Sequence, residues 1–163
     1  MARPTPVEAR QRILEIIGSS VYQALGLKES LEDERHALAA QDIDALNAAI
    51  ENKSRCVAKL QTLEQERRRL CSQSGYGEST EHMRQMMAWC DDNSVVANGW
   101  EQLMAIASDC SSLNMTNGAI IRVRRDQIES SLSVLRGGTP GTDIYGRDGT
   151  GSSAVSQRSL AEA

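Results

Sequence analysis

"SLNMTNGAII", residues 112–121, sets two asparagines and a glycine inside an otherwise helical apolar pattern. Asn117-Gly118 is also a dipeptide that often makes a tight turn. If the chain turns here, its C-terminal third is two elements; if not, it is one long helix. The phase of the flanking residues decides between them. Trp100, Ala107, Asn114, Ile121, Ile128 and Leu135 follow one another at steps of seven. A turn at 117–118 would normally reset that phase, so the spacing predicts one helix over about 94–135. At 1.5 Å per residue it is about 60 Å long. Running through two Asn and one Gly costs about 2 kcal/mol in propensity. Asn114 falls on the seven-residue seam, where a polar side chain fixes register at some loss of stability. Gly118 offers room for another backbone to approach closely. A second stripe, Ile106, Leu113, Ile120 and Val134, lies beside the first, with Gln127 as its polar member. Whether the asparagines align the second helix of this chain or a partner's helix is open at this point.

Upstream, Thr5-Pro6-Val7-Glu8 reads as a capping box with Pro at the first helical position. A helix over about 6–39 follows, with Ile13, Leu14, Ile17, Val21, Ala24, Leu25, Leu31 and Leu38 at helical spacing. Gly18 and Gly26 either weaken it or let a neighbouring helix come close. Asp42 caps a second helix over about 42–72, striped by Ile43, Leu46, Ile50, Val57, Leu60, Leu63 and Leu70. The short connection makes these two helices antiparallel neighbours. Arg67-Arg68-Arg69 stands beside Glu64 and Glu66, which favours a solvated face over a phosphate patch. Ser79 caps a short helix over 80–90 carrying Met83, Met86, Met87 and Trp89. That cluster is either a lid over the end of the bundle or an adaptable binding surface. "DDNS", residues 91–94, supplies the next cap.

Composition bounds the rest. Aromatics are 3% of the 163 residues and there is no Phe, so burial must come from Leu, Ile, Val, Met and Ala in thin helix-on-helix seams. The expected fold is all-α. It is an elongated antiparallel bundle or coiled coil of three long helices and one short one, occupying residues 1–136, with a flexible Gly/Ser-rich tail over 137–163. A net charge of −4 disfavours nucleic acid. Cys56, Cys71, Cys90 and Cys110 form no C-x-x-C pair, and His36 and His82 have no cysteine pair to join. Metal, other cofactors and disulfides are therefore not expected. No signal-peptide pattern opens the chain and no run suits a membrane span, so a cytoplasmic protein is expected. There is no G-x-S-x-G, P-loop, H-E-x-x-H or dinucleotide fingerprint, and a helical hairpin offers surface rather than a pocket. The reading is non-catalytic.

"SLNMTNGAIIRVRRDQIESSLSVLRG", followed by "DIYGRDGTGSS", carries L-N-x-x-N-G inside a long C-terminal helix and a Y-G-x-x-G tail. A Trp stands fourteen residues before the first Asn. With "LEDERHAL", the D-x-x-x-L of Asp42 and Leu46, and the charged run from Lys53 to Arg67, this resembles the flagellar export chaperone family FlgN over about residues 10–150. Little of the likeness falls between Cys71 and Ser94. The resemblance implies a cytoplasmic type III export chaperone. Such a protein binds the C-terminal helical segments of hook-associated (hook-filament junction) proteins and prevents their premature assembly. It delivers them to the export gate and its ATPase complex. It implies client binding on the last helix, at Asn114, Asn117, Gly118, Ile120, Ile121, Ile128, Val134 and Leu135. It also implies docking of Tyr145 and Gly146 on the gate's cytoplasmic domain. A passive coiled-coil spacer explains the heptads but not the tail. Monomer and homodimer are both compatible with such seams.

Overall fold

The computed structural model describes residues 3–91 and 93–137 of the chain. Among them are four helices and no strand: α1 (Pro6–Ala40), α2 (Ile43–Gln73), α3 (Thr80–Cys90) and α4 (Val95–Leu135). The fold is all-α, and α4 passes through Asn117-Gly118 without a break. Contacts divide the chain into Met1–Val123 and Arg124–Ala163. In the second unit the described residues are the last turns of α4 and Arg136-Gly137.

Local chemistry sets each helix start. Thr5 Oγ1 accepts from the Glu8 N–H, and the Glu8 carboxylate accepts from the Thr5 N–H at 2.8 Å. That second bond holds the Glu8 carboxyl below its ordinary pKa. Gln41, in the left-handed conformation (φ 60°), ends α1. Asp42 then opens α2 by accepting from the Ala45 N–H at 2.9 Å. Ser79 caps α3. The α4 cap is Asp91, whose Oδ2 accepts from the N–H groups of Val96 and Ala97 at 2.9 and 3.2 Å.

In the first unit α1 and α2 run antiparallel, with Arg12 bonded to Gln73 at one end and Glu34 to Lys53 near the other. The first part of α4 runs parallel to α1, as Arg10 to Asn93, Lys28 to Asp109 and Leu31 to Asn117 show. Two apolar clusters fill the seams. The larger joins Ile13, Ile16 and Ile17 of α1 to Leu70 and Cys71 of α2, Met83, Met86, Met87 and Cys90 of α3, and Val96 of α4. The smaller joins Ala24 and Leu31 to Ile106 and Cys110. The methionines are therefore core: α3 lies on the cluster at this end, and Met83 and Met86 are fully buried. Burial also pushes the thiols of Cys71, Cys90 and Cys110 above their ordinary pKa, so they stay protonated at neutral pH.

Two seams differ from the sequence reading. On α2 the buried and half-buried positions include Leu46, Ala49, Lys53, Cys56, Leu60, Leu63, Arg67, Leu70 and Cys71, while Ile43, Ile50 and Val57 face outward. On α4 they include Val96, Trp100, Leu103, Ile106, Cys110, Leu113, Asn117 and Ile120; Ala107, Asn114 and Ile121 are exposed. Ile106, Leu113 and Ile120 of the second stripe thus point inward, and Asn117 rather than Asn114 occupies the seam. Small residues bear on the first of these shifts. Two helices approach closely where side chains are short, as at Gly26, where a Cβ would lie 3.3 Å from Cys56 Sγ. Arg67 is the third departure, since it is buried rather than part of a solvated run. It donates to both oxygens of Glu64 at 2.7 and 2.8 Å, and its guanidinium lies 5.5 Å from the Trp100 ring centroid. A paired, stacked arginine can be buried where an isolated charge cannot.

Because Met83 is wholly enclosed by four helices, Met83→Ala should lower unfolding free energy by about 2–5 kcal/mol. Urea denaturation followed by circular dichroism measures it.

Candidate functional site

The two asparagines of "SLNMTNGAII" have different surroundings. Asn117 is 1% exposed. Its Nδ2 donates to the Leu31 carbonyl at 2.9 Å and to Glu34 Oε2 at 2.8 Å, both on α1. Glu34 is itself buried and accepts from Lys53 Nζ of α2 at 3.0 and 3.2 Å. The same Nζ donates to Asn114 Oδ1 at 3.2 Å. One carboxylate, one ammonium and two amides thus tie α1, α2 and α4 together. Asn114 lies at the exposed rim of this network. Gly118 does not serve a close approach: the nearest neighbour of a Cβ there would be Arg122 Nη1, at an ordinary 3.7 Å.

Between α1, α2 and α4 lies a cleft of about 270 Å³, walled by Ile17, Ala24, Leu27, Leu60, Leu63, Leu103 and Ala107. Apart from Ser20 and the Glu64–Arg67 pair its lining is apolar. Arg67 holds the Glu64 carboxyl below its ordinary pKa by hydrogen bonding, and the pair is neutral as a unit. Such a cleft takes apolar side chains.

The remaining expected site residues separate by unit. In the first, Ile120 is half-buried and Ile121 is 46% exposed. In the second, Ile128, Leu132, Val134 and Leu135 are all exposed, Leu135 at 82%. Tyr145 and Gly146 lie outside the described residues. Among the described residues, no group of three or more His, Cys, Asp or Glu could hold a metal ion, and no helix is long and apolar enough to cross a membrane.

Sequence reasoning passed over Glu34 and Lys53. Glu34 sits in the charged run "LEDERHAL", which hides it. Its spacing gives it away, three residues after Leu31 and four before Leu38, on the inward stripe of α1. Lys53 likewise stands seven after Leu46 and seven before Leu60.

Glu34 accepts from two donors at once, so Glu34→Ala should destabilise the protein by about 1–3 kcal/mol. In a double-mutant cycle with Asn117→Ala the coupling should be about 0.5–3 kcal/mol. Both are read from urea denaturation midpoints.

Comparison with known proteins completes the description. A family model, FlgN protein, matches residues 11–153 and so covers α2, α3, α4 and nearly all of α1. Comparison with curated proteins and with solved structures gives no significant match. The family match runs across the network and cleft just described, and on it the chain belongs to the FlgN family, a family of flagellar export chaperones.

Proposed function

We propose that this protein is a cytoplasmic chaperone that binds the C-terminal helical segments of hook-associated proteins on α4, keeps them from assembling early, and delivers them to the flagellar export gate and its ATPase complex. The observation that carries the reading is the row of exposed apolar side chains on α4. In the second unit Ile128 and Leu135 stand seven apart with Leu132 on the same face, and Val134 is exposed as well, while Ile121 is exposed in the first unit. That is the spacing at which one amphipathic helix receives another. A non-client helix face of this kind would more often be charged.

Within this reading the site residues divide by role. Ile121, Ile128, Val134 and Leu135 supply apolar contact. Asn114 offers a polar rim, and Gly118 leaves the surface beside it low. Ile120 and Asn117 face inward and support the helix rather than touch the client. Tyr145 with Gly146 forms the docking element for the cytoplasmic domain of the gate. No step requires bond chemistry from this chain: holding and handing over a helix needs only burial of apolar surface that can be released again.

Replacing Ile128 and Val134 by Asp should weaken client capture at least about 100-fold, since each buried apolar side chain contributes about 1.5–3 kcal/mol. Co-purification with a co-expressed hook-associated protein measures it, and circular dichroism should remain helical. Undiminished capture by the folded variant excludes this face. Tyr145→Ala should retain client capture yet lose support of filament assembly in a motility assay. A passive spacer would capture no hook-associated protein even in its unaltered form.

A further inference from the structure

We infer that Asn117 is a positioning residue: through Glu34 and Lys53 it selects one register of α4 on α1, and so sets where Ile121 emerges. The connection to client binding rests on the function proposed above; the register itself does not.

Along the smaller cluster, apolar packing alone leaves this register poorly defined. Along the seam α4 presents Leu103, Ile106, Cys110 and Leu113 to Ala24 and Leu31 of α1. These side chains recur every three or four residues. A slide of one turn, about 5.4 Å, replaces one medium-sized apolar group by another. The polar contacts are not interchangeable. A slide that brings Asn114 into the place of Asn117 leaves the shorter Ser111 opposite Lys53. The opposite slide sets Ile120 against the buried Glu34 carboxylate, which then loses its amide donor. In the observed register an amide donates to Glu34 while the longer Asn114 side chain reaches Lys53.

Asn117 is a poor choice if stability were its role. Among the described residues its buried Oδ1 has no hydrogen-bond partner, and an unpaired buried acceptor is destabilising. Leucine would fill the same seam with no polar atom to satisfy. Glu34 would keep both contacts to Lys53, so no isolated charge would be created. A residue that lowers stability while making contacts that favour one register is doing what a buried asparagine does in a coiled coil.

The test is Asn117→Leu in the full chain, with methyl NMR, urea denaturation and co-purification with a co-expressed C-terminal fragment of a hook-associated protein. The expected variant has an unchanged or higher denaturation midpoint. Its Leu31 and Leu113 methyl resonances are split, with new cross-peaks between Leu31 and Ile120. Its client capture is at least tenfold weaker. Lys53→Met, which breaks the outer contact and leaves Asn117 in place, should split the same resonances. A single set of methyl signals in both variants overturns the proposal. So does an Asn117→Leu protein that fails to fold, because the residue would then be a source of stability. Split signals with undiminished capture overturn the link to the client. If the signals split while Ile128→Asp/Val134→Asp binds client normally, register selection stands and the proposed client face falls.

Discussion

In the first unit, α1 has to satisfy three neighbours at once, and the other helices are arranged by that demand. With no Phe and few aromatics, no single contact buries much area, so burial is spread along seams of medium-sized side chains. Both apolar clusters draw on α1: Ile13 and Ile17 in one, Ala24 and Leu31 in the other. α2 reaches α1 by way of small residues, Ala49, Gly26 and Cys56. α4 reaches it through Cys110, whose Sγ donates to the Ala24 carbonyl at 3.6 Å. Short side chains bring backbones close, and what cannot fit that narrow gap is turned outward.

Polar groups tie this seam at successive levels. At one end Arg10 Nε faces Asp91 Oδ1 at 3.6 Å while the other Asp91 oxygen caps α4, so one carboxylate joins the start of α4 to α1. Further along, Arg67 stacks on Trp100 and joins α2 to α4. Lys28 and Asp109 pair at 2.7 Å in the open, where such a pair contributes only about 0.2–1 kcal/mol. The fourth level is Glu34 with Lys53, Asn114 and Asn117, where the charge is buried and all three helices take part. The ties differ in chemistry, and the fourth, which takes in all three helices, discriminates most sharply between registers.

Division of labour between faces suits an export chaperone. In the first unit the seams take up most large apolar residues, although Ile43, Ile50 and Val57 stay outside them; in the described part of the second unit Ile128, Leu132, Val134 and Leu135 are all exposed. A chaperone must hold its client and let go, which favours a shallow apolar helix face over an enclosed pocket. Its own fold meanwhile has to stay fixed when that face is empty, and the buried ties on α1 serve that end.

Sequence alone determined the helices. Capping residues Thr5, Asp42 and Ser79 fix where helices begin, and an unbroken seven-residue phase carries α4 through Asn117-Gly118. These are local properties, encoded in backbone hydrogen bonding within a few residues. Family membership was legible too, because it rests on motif order rather than on packing. Which side of each helix is buried was decided only by the tertiary structure. A stripe at steps of seven has a companion stripe three or four residues away, and period cannot choose between them. The choice fell to close approach at Gly26 and Cys56, and to the pairing of Glu34, whose burial depends on Lys53 and Asn117 from two other helices. A charged residue can enter a core only when its partners arrive with it, and those partners lie 19 and 83 residues away in the chain.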